Sequence, residues 1–393
     1  MISLDQVYGG VNRPSRSRFV AGMYYAAGVL SLLGLAAAAW FSIALARADH
    51  EFRKGTPEAA ARAVELAPRN AAYLSLRALQ IEYEGRDSRP VLEHIAALNP
   101  VSSRPRIQLG LDAEIRGDFE TAQRWLLNAA RVDHQFEAAW TLANFYYRRE
   151  MPEQFWIWMR AALAVSYGDR RPAFDLCWNV SSSGQEILER AIPPRREVEA
   201  AYLIYLLQTN RLAEAAPVAV KLAAARDAVD LPLLYAACDA LLDAGNGNAA
   251  LDVWTALGQP AQPDFDAARI NHGFDWRLIA PTGVTHAANR IVFSGQQPEA
   301  TEVLRQFLHL QAGRPYVLRW ESRTSGFPSR AGLEWRVGDQ TGVVPSHEDW
   351  SPSEFRFTAR GEWPILSLNY QRPTGEPRAE GYVELRHVAL LPR

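Results

Sequence analysis

The stretch SRPRIQLGLDAEIRGDFETAQRWLLNAARVDH, Ser103 to His134, decides how this chain is built. Apolar residues recur at helical spacing on either side of Gly117-Asp118, so it reads as two helices joined by a tight turn. Gly110 and Ala122 are small, which lets the two backbones approach closely, while Leu126 and Trp125 are large enough to cover the next unit along. One helical hairpin cannot bury its own apolar face, so the stretch implies stacked neighbours.

Such neighbours run from Thr56 to about Gly258. Thr56-Pro57-Glu58 caps a helix with proline at its first position, and that helix ends near Pro68. Asn70 to Pro100 turns at Gly85, and Glu137 to Tyr167 opens with Trp140, Ala143, Asn144 and Tyr147. Gly85 and Gly117 are 32 residues apart, and Asn210 and Gly245 are 35 apart. These spacings bracket a period of about 34. Between Gly168 and Arg196 the register is lost in a longer, proline-broken run. Leu109-Gly110, Gly117, Ala122, Leu126 and Ala129 stand at the spacings of a tetratricopeptide repeat, and the segment resembles that family. The resemblance implies five or six hairpins over residues 56–258, some degenerate, with a concave face that takes a protein partner. Phe155-Trp156-Ile157-Trp158-Met159 is the densest aromatic cluster. It reads as inter-repeat core or, if exposed, as a patch through which Phe155, Trp156 and Trp158 dock a partner.

The chain has 393 residues, enough for two or three domains, and a net charge of −2. Acids and bases are interspersed, so neither a nucleic-acid partner nor a polyanion is implied. The only lysines are Lys54 and Lys221, and no Gly-Lys-Ser/Thr occurs, which excludes a P-loop. Cys177 and Cys238 lie in helical patterns; each reads as a small buried apolar residue, with a disulfide between repeats as the alternative in an oxidising compartment. No His or third Cys stands at ligand spacing to them, so no metal site is expected.

Residues 1–18 are polar, with Arg13, Arg16 and Arg18 before an uncharged run from Phe19 to Ala46. As a helix that run spans about 42 Å, more than the ~30 Å hydrocarbon core. Tyr24, Tyr25 and Trp40 lie near its ends, as interfacial aromatics do. Ala44-Leu45-Ala46 and Ala46-Arg47-Ala48 are small-x-small sites of the kind a signal peptidase cuts, but the apolar run is nearly twice the length of a signal-peptide core. The expectation is an uncleaved single-pass transmembrane helix over 19–46 in a bacterial inner membrane, with a cytoplasmic tail over 1–18 and the large C-terminal part in the periplasm. Arg47, Arg53 and Lys54 on the far side make the positive-inside count nearly even, so orientation rests partly on the C-terminal domain.

The proline-rich run Gln259 to Asp266 reads as a linker over 259–268. Beyond it the period changes. Ile291–Phe293, Tyr316–Glu321, Leu333–Val337, Glu354–Phe357, Ile365–Tyr370 and Tyr382–Leu391 are short apolar or alternating runs between Gly/Pro turns, which predicts an all-β sandwich over 269–393. Asn271-His272-Gly273-Phe274-Asp275-Trp276, then Leu304 to Leu310 with Gly313 and Tyr316, then Trp350, Phe355-Arg356-Phe357 and Val383 to Leu390 follow in order. In that order they resemble the carbohydrate-binding, galactose-binding-like jelly rolls over roughly residues 265–392. That family often closes on Ile-Asp-Asp-Val, whose acids support a calcium ion; here the residues are Leu385-Arg386-His387-Val388, so no calcium site is expected on that strand. The fold class is therefore multidomain: a transmembrane helix, an all-α tetratricopeptide-like solenoid, then an all-β jelly-roll sandwich.

A β-sandwich binds sugar by stacking a flat ring on an aromatic platform and hydrogen-bonding the hydroxyls. Trp335 shares a strand face with Leu333 and Val337, and Trp320 with Tyr316 and Leu318, so both read as core. Trp363, in Gly361-Glu362-Trp363-Pro364, is the best candidate for exposure. Arg319, Glu321, Glu334 and Arg336 alternate with the core residues and either line a polar groove or form a solvated face of ion pairs. Glu321 and Glu334 are the only carboxylate pair to suspect of glycosidase chemistry, and no motif singles them out. Asp264-Phe265-Asp266, His347-Glu348 and Ser181-Ser182-Ser183-Gly184 each lack the context their motifs require. No active site, cofactor or metal is expected. The order of features resembles accessory subunits for making or exporting surface polysaccharide. That implies a non-catalytic scaffold whose repeats bind protein and whose sandwich binds glycan or protein. A polysaccharide-acting enzyme and a purely structural assembly factor are the alternatives.

Overall fold

The computed structural model describes residues 16–327 and 332–393; the expected 1–18 tail lies almost wholly outside them. Helix α1, Arg16–Phe52, contains the segment Met23–Phe52, whose 18-residue apolar window has a mean hydropathy of 2.1 and no buried residue. It is long and apolar enough to cross a membrane or to act as a signal sequence. Its last turns are different in kind: Ala48 is fully buried against Ala63, Ala67 and Tyr73, and the Phe52 ring lies 4.8 Å from that of Tyr73. The apolar helix thus runs without a break into the first packed helices.

Those helices are α2 (Pro57–Leu66), α3 (Ala71–Tyr83), α4 (Arg89–Leu98), α5 (Arg104–Ile115), α6 (Phe119–Val132), α7 (Phe136–Arg148) and α8 (Pro152–Val165). The Ser103–His134 hairpin forms as its spacing requires. A Cβ on Gly110 would sit 2.6 Å from Leu126 Cδ2 and 3.3 Å from the Ala122 carbonyl, so only glycine permits this crossing of α5 and α6. Trp125 packs against the preceding cluster of Leu74, Ala78, Leu92, Ile95 and Leu109. Arg106, 7% exposed, ties α4 to α6 by donating to the Ala96 carbonyl at 3.2 Å and to Asn128 Oδ1 at 2.6 Å. The turn positions Gly85, Gly117, Asn210 and Gly245 all take positive φ, as does Glu150, which composition alone does not flag.

By internal packing the chain forms two compact units, Met1–Trp158 and Met159–Arg393, and the division falls inside α8. In the aromatic cluster Phe155 and Trp156 are buried in the helical array, Trp158 is half-buried, and Ile157 is the exposed member at 64%. The second unit holds α9 (Arg171–Val180), α10 (Gly184–Arg190), α11 (Arg196–Gln208), α12 (Leu212–Ala225), α13 (Leu231–Asp243) and α14 (Gly247–Ala256), together with all the strands. The short pair α9 and α10 accounts for the lost register after Gly168. Cys177 and Cys238 are fully buried and unpaired in α9 and α13, and burial pushes the Cys238 thiol up to about 12.

The segment after α14 is held rather than loose. Trp254 donates its indole N–H to the Pro260 carbonyl at 2.9 Å, and Phe265 is 2% exposed in the sandwich core. The strands are β1 (Arg277–Leu278), β2 (Val284–Ala287), β3 (Arg290–Ser294), β4 (Ala300–Phe307), β5 (Pro315–Ser325), β6 (Leu333–Val337), β7 (Gln340–Val343), β8 (Ser351–Thr358), β9 (Ile365–Gln371) and β10 (Glu380–Pro392). They form two five-stranded antiparallel sheets, ordered β1-β4-β9-β6-β7 and β2-β3-β10-β5-β8, so the chain repeatedly changes sheet as a jelly roll does. Between the sheets, Trp335 stands 6.0 Å from both Trp276 and Trp320, and all three are buried. The alternation along β5 and β6 placed two of them there.

Candidate functional site

On β5, Leu318, Trp320, Ser322 and Thr324 point inward, so Arg319, Glu321 and Arg323 point out. The neighbouring strands bring charges to the same face. Glu384 of β10 stands between Arg290 of β3 and Arg323 of β5 in direct register, Arg386 pairs with Glu321, and Arg319 pairs with Glu354 of β8. Arg290 donates to Glu384 at 2.7 and 2.6 Å, and Arg323 donates to the other oxygen of the same carboxylate. Arg386 donates to Glu321 at 2.7 and 2.6 Å. Arg356 pairs with Glu354, which Arg319 approaches at 3.7 Å. Five guanidinium groups therefore share three carboxylates.

The aromatics of this face serve the arginines. The Arg386 guanidinium lies 4.1 Å and that of Arg323 4.9 Å from the Trp350 ring, and Arg290 lies 4.3 Å from that of Tyr382. Two clefts open here. One, of about 650 Å³, lies between Arg269, Arg290, Arg323, Arg386 and Trp350; the other, of about 510 Å³, lies between Arg319, Glu321, Glu354 and His387. Burial raises the Glu384 carboxyl, but hydrogen bonds from Arg323 and Arg290 outweigh it and hold the group below the ordinary carboxylate range. The Arg386 hydrogen bond does the same for Glu321. His387 sits in a bulge of β10 with φ +51°, its backbone N–H donating to Asp266 at 2.8 Å and its imidazole 3.5 Å from Glu321.

The residues singled out in the sequence divide between two sheets. Arg319 and Glu321 belong to the face just described. Glu334 and Arg336 lie on β6 of the other sheet, point outward, and pair with each other. Alternation reveals which residues point out but not which sheet a strand joins, so Glu321 and Glu334 never meet. Nothing in the sequence marks Arg290, Arg323, Arg356, Arg386 and Trp350 as one surface, because their convergence depends on the register of four strands.

Trp363 is engaged elsewhere. It follows β8, on the outer side of the β4–β9 end, where Leu308 donates to the Pro364 carbonyl at 3.0 Å. The His309 imidazole stacks on it at 4.5 Å and 11°, and the Phe274 ring is 5.9 Å away. Gly247, the first residue of α14, lies against its fused rings so closely that a Cβ there would sit 2.2 Å from Cδ2. Beside it the motif Asn271 to Trp276 docks on α13 and α14. Asp239 accepts from the Gly273 N–H at 2.7 Å and from Arg277 at 2.6 Å, and contacts His272 Nδ1 at 2.6 Å. His272 also stacks on Tyr235 at 5.6 Å, and Gly273 faces the Trp254 ring. The last helical hairpin and the sandwich are thus joined through aromatic packing and one shared carboxylate. Among the described residues no group of three or more His, Cys, Asp or Glu side chains is placed to hold a metal ion.

No family model matches the chain, and no curated protein does. Among solved structures it is similar to one described as "CBM4 structure and function", at 14% identity and a TM-score of 0.25 over 30% of this chain and 88% of that one. It is similar to one described as "Functional Characterization of Pseudomonas Aeruginosa pilF", at 12% identity and a TM-score of 0.31 over 47% of this chain and 89% of that one. A third is described as "YrrB: a TPR protein with an unusual peptide-binding site", at 13% identity and a TM-score of 0.27 over 51% and 91%. At such scores the fold stands on the helix pairing and strand order given above.

Proposed function

We propose that this chain is a non-catalytic, membrane-anchored scaffold of a bacterial cell envelope, accessory to the handling of surface polysaccharide. Its repeats bind a protein partner, and the open face of the β2-β3-β10-β5-β8 sheet binds glycan. The observation that carries the reading is that face: cross-strand charged rows and two clefts on one sheet. Glu321 and Glu334 stand on different sheets, each held by an arginine, which favours binding over hydrolysis. The length of the apolar run favours an uncleaved anchor, and a cut after Ala48 would also remove that buried residue from its packing against Ala63, Ala67 and Tyr73. The large part is then periplasmic, with a short cytoplasmic tail.

The test is a glycan array probed with the full-length protein in nanodiscs. Binding of surface-type polysaccharides at submillimolar concentration is expected, and silence on every glycan at millimolar concentration removes the glycan half. N-terminal sequencing of the mature protein tests the anchor: an intact α1 is expected, and a start near Arg47 or Asp49 overturns it.

A further inference from the structure

We infer that the open sheet face takes an extended, carboxylate-bearing polysaccharide, such as a uronic-acid polymer, with Arg290, Arg323 and Arg386 as its principal contacts. The inference rests on the glycan-binding reading and names the ligand class. Its starting point is how the fold sorts charge. A chain of net charge −2 gathers five arginines and three glutamates on one sheet face.

Each arginine is pinned at one edge and open at the other. Arg290 spends its Nε and Nη2 on Glu384, Arg386 spends the same two on Glu321, and Arg323 spends its Nε on Glu384. Their side chains remain 41%, 40% and 36% exposed. A guanidinium has five N–H donors in a planar fork, so each keeps donors directed at solvent in a geometry that suits a second carboxylate. Holding the fork in place beforehand lowers the ordering cost of binding.

The aromatic platforms that a neutral sugar would stack on are taken. Trp350 is covered by Arg386 and Arg323, Tyr382 by Arg290, and Trp363 by His309 and Gly247. What the face presents is charge. The arginines stand on β3, β10, β5 and β8, four adjacent strands spanning about 14 Å. Glutamates interleave with them, so cationic points recur at intervals across the groove. That pattern suits a polymer carrying one carboxylate per sugar, whereas a continuous plane of lipid phosphates would meet the glutamates as well.

The experiment titrates full-length protein, in nanodiscs of zwitterionic lipid, with oligogalacturonate, oligomannuronate and oligoglucuronate, each as the free acid and as its methyl ester. At least one acid is expected to bind about tenfold more tightly than its ester, and to weaken by about tenfold between roughly 50 and 200 mM salt. Arg290→Gln and Arg386→Gln should each weaken that acid about fivefold or more, with the helical circular dichroism unchanged. Equal binding of acid and ester, or binding confined to neutral glycans, overturns the ligand class and leaves the glycan reading standing. Failure of every glycan overturns both. Preference for phosphatidylglycerol vesicles over all three acids assigns the face to lipid and overturns the inference.

Discussion

The two outer faces of the sandwich use the same residue types to opposite ends. At the β4–β9 end, Trp363, Phe274 and Arg277 are turned on α13 and α14, and glycine at 247 and 273 makes room for indole rings. Across the sandwich, Trp350 and a lattice of arginines and glutamates face solvent. A tryptophan on either face looks alike in the sequence. Its role is set by what the tertiary structure places over it: a glycine backbone in one case, a guanidinium in the other.

Substitutions can break this contrast, beginning with the docked face. Phe274 is fully buried between Trp254 and Trp363, so Phe274→Ala should cost about 3–5 kcal/mol, read as a lowered denaturant midpoint. Gly247→Val forces a side chain into Trp363 and should cost about 1–3 kcal/mol, with a red shift of tryptophan fluorescence as the indole is displaced. Asp239→Asn removes the charge on which the Gly273 N–H, His272 and Arg277 converge; a loss of about 1–2 kcal/mol is expected by thermal unfolding. If these variants left stability untouched, the docked face would be no different from the open one.

On the open face the expected effects are smaller. Glu384 and Glu321 have carboxyls held below the ordinary value of 4.5, so their ion pairs contribute fully above that value and are lost as pH falls through the lowered midpoints. Side-chain carboxyl NMR should place both midpoints below 4.5, and stability between pH 5 and 7 should not change on their account. Trp350→Ala, which removes only partly exposed packing and two cation–π contacts, should shift stability by less than about 1 kcal/mol in the same unfolding assay. A loss as large as that of Phe274→Ala would make this face structural and remove the ground for calling it a site.

The hairpin of α5 and α6, the positive-φ turns and the core positions of Trp320 and Trp335 were legible in the residues because each depends on local period: 3.6 residues along a helix, two along a strand. The apolar span from Phe19 was legible because length and polarity are properties of one segment. The burial of Phe155 and Trp156, the covering of Trp363 by Gly247, the parting of Glu321 from Glu334, and the gathering of arginines from β3, β5, β8 and β10 were decided only by tertiary structure. Alternation tells a side chain to point in or out. Which sheet its strand joins, in what register, and what packs over it depend on residues far away in the chain, and no local pattern carries that information.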